Sequence, residues 1–127
     1  MTRVYDASAL LAVVFSEPGS DAVEKYLGQA GGMVSAANWA EVGSKMVEKG
    51  LKPAELRREL SAFSLDVVAL DQEQALLVAS LRATTRSLGL SLGDRCCLAL
   101  AQREKATVIT AERSWKRLAG FDIALMR

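Results

Sequence analysis

The sequence has no histidine among its 127 residues. Histidine is the side chain that most often transfers protons at neutral pH, so its absence excludes Ser-His and Cys-His catalysis and hydrolysis by a histidine pair. An enzyme of this composition must use carboxylates, lysines, tyrosines or water activated by a metal.

Cysteine and long apolar runs are also scarce. The two cysteines, Cys96 and Cys97, are adjacent and cannot easily bridge each other without strain, which argues against a secreted disulfide framework. The longest early apolar run, residues 9–15, is too short to span a bilayer. It follows Asp6 without a cationic leader, unlike a signal peptide. We therefore expect a soluble, cytoplasmic protein that does not enter a membrane.

No excess of either charge is present, since 16 basic and 15 acidic residues give a formal net charge of +1. Bulk charge therefore does not indicate nucleic-acid binding, and an anionic partner would need a local patch or a metal. Aromatic residues make up 6% of the chain, too few to stack many splayed bases. The length predicts a single domain, residues 1–127, with a core that needs no disulfide.

Strand-like and helix-like segments alternate along the chain. Strands are predicted at 2–5, 33–36, 65–70, 106–110 and 121–126. Helices are predicted at 8–16, 20–29, 38–50, 53–63, 71–89, 91–104 and 113–118. This alternation predicts an α/β fold, with a short, mainly parallel central sheet between two helical layers. In such sheets ligands bind beyond the carboxyl ends of the strands, where the strand order reverses.

Asp6 and Asp94 each have an ordinary structural interpretation. Asp6 follows the first predicted strand and can cap the next helix. Asp94 follows Ser91 by three residues, which is the spacing of a capping box. On a helix, however, Asp94 shares its stripe with Cys97 and Leu98, at the margin of an apolar face where a lone charge is costly.

Glu41 and Glu112 also have ordinary interpretations when each is considered alone. Glu41 shares a helical stripe with Lys45 and Glu48, which is typical of an exposed face with an ion pair. Glu112 follows the fourth predicted strand, where Thr110 could cap a short helix and make Glu112 a favourable first-turn anion.

Considered together, the acids predict a metal site that none of them predicts alone. Asp6 and Glu112 lie just beyond strand ends, and Asp94 lies at the head of a helix, so they face one cleft if the first and fourth strands are neighbours. Carboxylates without histidine or paired cysteines form a hard oxygen site that suits Mg²⁺ or Mn²⁺ and not zinc. Such a cluster would repel itself without a divalent cation, so the cluster implies the metal.

Four segments in this order resemble the PIN-domain nucleases, and within them the VapC toxins of prokaryotic toxin–antitoxin pairs. The segments are VYDASALLAVVFSEPGS (4–20), NWAEV (38–42), GLSLGDRCCLALA (89–101) and VITAERSW (108–115). Each is short, but their order and separations extend the resemblance over nearly the whole chain. The resemblance implies a PIN-like fold and Mg²⁺- or Mn²⁺-dependent cleavage of RNA by metal-activated water. It further implies a homodimer and an antitoxin that blocks the cleft.

The same resemblance assigns roles to individual residues. It implies that the acidic quartet is Asp6, Glu41, Asp94 and Glu112, with Asp6 and Asp94 as direct metal ligands. Ser8 and Thr110 match the family's supporting hydroxyls. The last acidic position is usually Asp in this family and is Glu112 here. The basic side chains predicted to contact RNA phosphates are Arg82, Arg86, Arg95, Arg113, Lys116 and Arg117.

Two alternatives remain open from the sequence. A receiver-like or phosphatase-like Mg²⁺ domain also gathers aspartates at strand ends. However, a phosphatase of that kind needs a second Asp at the position of Ser8, and a receiver needs adjacent acids after the first strand. The other alternative is a catalytically silent PIN scaffold that only binds a partner protein, for which the Glu at position 112 is a mild indication.

Overall fold

The computed structural model describes residues 2–127, and a five-stranded sheet lies at its centre. The strand order is β3-β2-β1-β4-β5, and every pair of neighbours is parallel. The strands are β1 Arg3–Tyr5, β2 Gly32–Ser35, β3 Asp66–Val68, β4 Thr107–Thr110 and β5 Asp122–Leu125. The predicted parallel sheet is confirmed, and it is parallel throughout, not only in the main.

Within residues 2–127, six helices cover the two faces of this sheet. They are α1 Ala7–Val14, α2 Ser20–Leu27, α3 Ala36–Glu48, α4 Leu56–Ser61, α5 Gln72–Thr85 and α6 Leu92–Glu104. Short 3₁₀ turns lie at Pro53–Glu55, Arg86–Leu88 and Arg113–Arg117. The predicted three-layer α/β/α architecture is confirmed. Within residues 2–127, none of the helices has the length and apolar character needed to cross a lipid bilayer.

The core divides at the sheet because successive strand residues point to opposite faces. Val4 and Val108 are fully buried on the face covered by α5 and α6, where they pack in one cluster with Leu98. Tyr5 and Ile109, the next residue of each strand, are buried in a second cluster under α1, α2, α3 and α4. Both faces of β1 and β4 are therefore buried, and this burial favours a central position for the two strands, side by side in the sheet.

The predicted helix at 71–89 is shorter than expected. The α-helix ends at Thr85, and a 3₁₀ turn leads to Gly89, whose φ of +61° suits glycine. The hydroxyls of Thr84 and Thr85 both donate to the carbonyl oxygen of Leu81, at 3.3 and 2.7 Å. Side-chain hydrogen bonds of this kind compete with the helical ladder, which explains the early end.

Helices α5 and α6 run antiparallel. The start of α5 meets the end of α6 at the ion pair between Asp71 and Arg103, 3.9 Å apart. Further along, the Arg95 guanidinium donates to the Val78 carbonyl at 3.1 Å. The C-terminal end of α5 is therefore close to the first turn of α6, which carries Asp94.

The strand order reverses between β1 and β4. From β1 the chain adds β2 and then β3 on one side, and it returns to add β4 and β5 on the other side. The crevice at the carboxyl ends of β1 and β4 is the place where such sheets bind ligands. Asp6 directly follows β1, and Thr110 is the last residue of β4.

Candidate active site

Asp6 is the most constrained acid of the site. It caps the N-terminus of α1, where its Oδ1 accepts hydrogen bonds from the Ala9 amide at 3.0 Å and the Ser8 hydroxyl at 2.6 Å. Its Oδ2 accepts from the Thr110 hydroxyl at 2.8 Å. The residue is only 3% exposed, so both carboxylate oxygens are held by the protein rather than by bulk water.

The two supporting hydroxyls are themselves held in place. The Ser8 Oγ accepts from the Ala111 amide at 3.1 Å, and the Thr110 Oγ1 accepts from the Glu112 amide at 3.0 Å. The two hydroxyl oxygens lie 3.5 Å apart. This network ties the start of α1 to the turn after β4 and fixes the orientation of the Asp6 carboxylate.

Burial raises the pKa of Asp6 from 3.8 to about 6. Hydrogen bonds from Ser8, Thr110 and the Ala9 amide oppose this shift, while the charge of Asp94 adds to it. The folded protein therefore holds a carboxyl group that ionises only at a cost, unless a positive charge is present.

Asp94 combines a structural role with a charge at the site. Its Oδ2 accepts from the Ser91 amide at 2.9 Å, and its own amide donates to the Ser91 hydroxyl at 3.1 Å. The predicted capping box at the start of α6 is therefore present. Asp94 also raises the pKa of Asp6 and of Glu41 through its negative charge, so the three acids share one electrostatic environment.

Glu41 lies on α3, and its side chain is close to Gly93 in the first turn of α6. Its Oε1 is 2.8 Å from the position that a Cβ on Gly93 would occupy. Partial burial is the main cause of its raised pKa, with Asp94 second, and Lys45 lowers the pKa. The ammonium group of Lys45 forms an ion pair with Glu48, at 3.6 Å, and not with Glu41.

Glu112 differs from the other three acids. Its backbone amide belongs to the Asp6 network through Thr110, but its side chain is exposed. Among residues 2–127, no hydrogen bond or ion pair joins its carboxylate to another side chain. The structure therefore brings Asp6, Asp94 and Glu41 into one environment and leaves the Glu112 carboxylate at the rim.

The donor chemistry of the three acids fits a hard divalent cation, since it consists of carboxylates without imidazole. The thiol of Cys97 lies in the same environment. Burial is the main cause of its raised pKa, followed by the charges of Asp6 and Asp94 and then by Cys96 and Glu41, so it stays protonated. Within residues 2–127, however, no three Asp, Glu or Cys side chains stand close enough to hold one ion. The Glu41 side chain is exposed and that of Asp94 is half-buried, so both carboxylates are accessible from solvent.

Asn38 is a residue of this region that the sequence does not single out. It is 1% exposed, and its Nδ2 donates to the Gly93 carbonyl at 3.0 Å. Its Oδ1 is buried with no hydrogen-bond partner among residues 2–127, a situation that costs about 1–3 kcal/mol. The sequence signal that could have identified Asn38 is its spacing: it lies three residues before Glu41, which places both side chains on the same side of the helix.

The predicted RNA-contacting residues fall into two groups. Five are exposed, and the structure places them in the C-terminal part of α5, in the turn after α5 and in the 3₁₀ turn after β4: Arg82, Arg86, Arg113, Lys116 and Arg117. Arg95 is half-buried, and its guanidinium donates to α5. That contact favours a packing role for Arg95 over a phosphate contact.

The protein is a parallel α/β/α domain with a buried carboxylate, Asp6, at the point where the strand order reverses and a half-buried one, Asp94, in its electrostatic range. The chain belongs to the PIN domain family, which it matches over residues 3–121. This match confirms the family inferred from the four sequence segments. The strand order also differs from the 2-1-3-4-5 order of receiver-like folds, which removes support from that alternative.

Solved structures of low sequence identity share the fold. A toxin–antitoxin complex from Klebsiella pneumoniae matches with a TM-score of 0.78 at 18% identity, covering 99% of this chain and 98% of that one. VapBC2 from Rickettsia felis, bound to a DNA fragment from its promoter, gives 0.76 at 18% identity, with 98% of each chain covered. DNA-bound VapBC from Salmonella typhimurium gives 0.76 at 18%, covering 100% of this chain and 99% of that one. The comparison with curated proteins gives no match.

Proposed function

We propose that this protein is a Mg²⁺- or Mn²⁺-dependent endoribonuclease that acts as the toxin of a toxin–antitoxin pair. The observation that carries the proposal is the buried Asp6 carboxylate at the junction of β1 and β4, whose pKa is raised by the charge of Asp94, while Asp94 also raises the pKa of Glu41. Membership of the PIN domain family and the shared fold with toxin–antitoxin complexes support it.

In this proposal Asp6 and Asp94 hold the cation, and Glu41 completes the site. When bound, the cation lowers the pKa of water and offsets negative charge on the scissile phosphate, the chemistry that a chain without histidine otherwise lacks. Ser8 and Thr110 keep both oxygens of Asp6 in a fixed orientation through their hydroxyl groups. Glu112, at the rim, orients water or substrate rather than forming part of the central group.

RNA has to approach a group of acids that repels it. The exposed basic residues Arg113, Lys116 and Arg117 follow β4 at the same edge of the sheet as Asp6. We assign them, with Arg82 and Arg86 near the start of α6, to the phosphates on either side of the cleaved bond. With few aromatic side chains available, recognition depends on the shape of a folded RNA and a short unpaired segment.

The proposal includes two protein partners. The solved structures with this fold include toxin–antitoxin complexes, and we assign an antitoxin partner to this chain on that basis. We also assign a homodimer, and the cytoplasm, where RNA is available, as the place of action.

Cleavage of total cellular RNA by the purified protein tests the proposal. We expect fragments with 5′-phosphate and 3′-hydroxyl ends in the presence of Mn²⁺ or Mg²⁺, and intact RNA when a chelator is added. Mapping the fragment ends then identifies the target. A folded protein that leaves RNA intact with either cation contradicts the nuclease assignment and supports the partner-binding scaffold, which the absence of a ready-made three-acid group within residues 2–127 favours.

A further inference from the structure

Asn38 connects the two helices that carry Glu41 and Asp94. Its amide nitrogen donates to the carbonyl oxygen of Gly93, so the first turn of α3 is tied to the first turn of α6. This bond also fixes which amide atom faces α6, because an amide oxygen in that place would face a carbonyl oxygen. The remaining atom, Oδ1, is a buried acceptor that no donor within residues 2–127 satisfies.

The contact between Asn38 and Gly93 adjoins two of the site's acids. Gly93 directly precedes Asp94, and Glu41 follows Asn38 by three residues, which places both side chains on the same side of α3. A Cβ on Gly93 would be 2.8 Å from Oε1 of Glu41 and 3.6 Å from Nδ2 of Asn38. The Asn38 amide, the Glu41 carboxylate and the start of α6 therefore meet around one residue that has no side chain.

We propose that Asn38 is a positioning residue of the carboxylate site. Its Nδ2 holds the start of α6, and with it Asp94, in register with Glu41. This inference rests on the proposed function, because that function supplies the ligand.

Direct titration of Mn²⁺ into the RNA-free protein tests the positioning role. The variants are Asn38→Leu, which keeps the volume and removes both polar atoms, and Gln74→Leu, which removes another buried amide on α5. Groups that orient metal ligands are worth about 10-fold or more in metal affinity, so Asn38→Leu is expected to weaken Mn²⁺ binding by about that factor. Gln74→Leu is expected to bind Mn²⁺ as the wild type does.

Thermal unfolding of both variants separates positioning from general destabilisation. Asn38→Leu with wild-type Mn²⁺ affinity overturns the positioning role. If Asn38→Leu does not fold, Asn38→Ala gives the same test, because it removes the donor to the Gly93 carbonyl without adding bulk. Unchanged Mn²⁺ affinity in Asn38→Ala then overturns the role. Failure of the wild type to bind Mn²⁺ would instead count against the proposed function.

Discussion

The hydroxyl of Thr110 donates a hydrogen bond of 2.8 Å to the carboxylate of Asp6, although 104 residues separate them in the sequence. The bond crosses from the end of β4 to the end of β1 and closes the network around the buried acid. It lowers the pKa of Asp6 against the stronger effect of burial.

Replacing Thr110 with Val keeps the shape of the side chain and removes the donor to Asp6 and the acceptor for the Glu112 amide. We expect a loss of about 2 kcal/mol in the free energy of unfolding and a higher pKa for Asp6. Thr85→Val is the matched control, because the Thr85 hydroxyl is also buried but donates to the Leu81 carbonyl, away from the site. Denaturant unfolding as a function of pH measures both effects, and an Asp6 pKa that moves equally in the two variants contradicts the assignment.

The stability of the cation-free protein should fall as pH rises from about 4 to about 7. The pKa of Asp6 is about 6 when folded against 3.8 for the free side chain, so the folded state binds more protons in this interval. This difference between the two pKa values corresponds to about 3 kcal/mol in the free energy of unfolding, which is lost as Asp6 ionises in the folded protein. Asp6→Asn should lack this part of the pH dependence, as measured by denaturant unfolding in chelator.

Adding Mn²⁺ at pH 7 provides the complementary measurement. A cation that binds only the folded state stabilises it in proportion to the logarithm of its concentration, and it does so by favouring ionised Asp6. Stabilisation of Asp6→Asn equal to that of the wild type would contradict the assignment of Asp6 as a ligand.

Asp94→Asn should abolish cation-stimulated RNA cleavage while leaving the fold intact. An asparagine oxygen can still accept from the Ser91 amide, so the cap survives while the negative charge is lost. We expect a decrease of at least about 100-fold in the cleavage rate, the scale of a lost electrostatic contribution to a transition state. Asp71→Asn, which alters an exposed cap acid at the start of α5, should keep full activity. Activity retained in Asp94→Asn would reject its catalytic role.

Glu112→Gln should reduce cleavage less than Asp94→Asn does. The Glu112 side chain is exposed at the rim, and its charge is not among those that shift the pKa of Asp6. Its amide keeps its bond to Thr110 in the variant, so the Asp6 network should remain. The measurement is the RNA cleavage rate of Glu112→Gln and of Asp94→Asn under saturating Mn²⁺. An equal decrease in the two variants would place Glu112 with Asp6, Asp94 and Glu41.

Arg117→Gln should raise the KM for RNA and leave kcat largely unchanged. An exposed cation that contacts a phosphate contributes to binding through counterion release, so its removal lowers the slope of binding against salt concentration by about one. Arg103→Gln is the control, because Arg103 lies near the end of α6, away from Asp94. Salt titrations of RNA binding in chelator make the comparison, and identical slopes for the two variants contradict the RNA-contact assignment.

The helix caps of the site could be predicted from the sequence. The Asp6 cap and the Ser91–Asp94 capping box each join residues three or fewer apart, so neighbouring residue types determine them. The alternation of strands and helices likewise predicted a three-layer domain, because hydrophobic patterning is read within short windows. The 3₁₀ end of α5 was missed because two threonine hydroxyls compete with the helix locally.

Short-range patterns therefore predict which side chains stand at strand ends and helix starts. The contact of Thr110 with Asp6, the contact of Asn38 with Gly93 across 55 residues and the position of the Glu112 carboxylate at the rim follow from the folded structure. They could not be predicted because one pattern of alternating strands is compatible with several strand orders. The pairing of β1 with β4 depends on burying both faces of both strands at once, which is a property of the whole core.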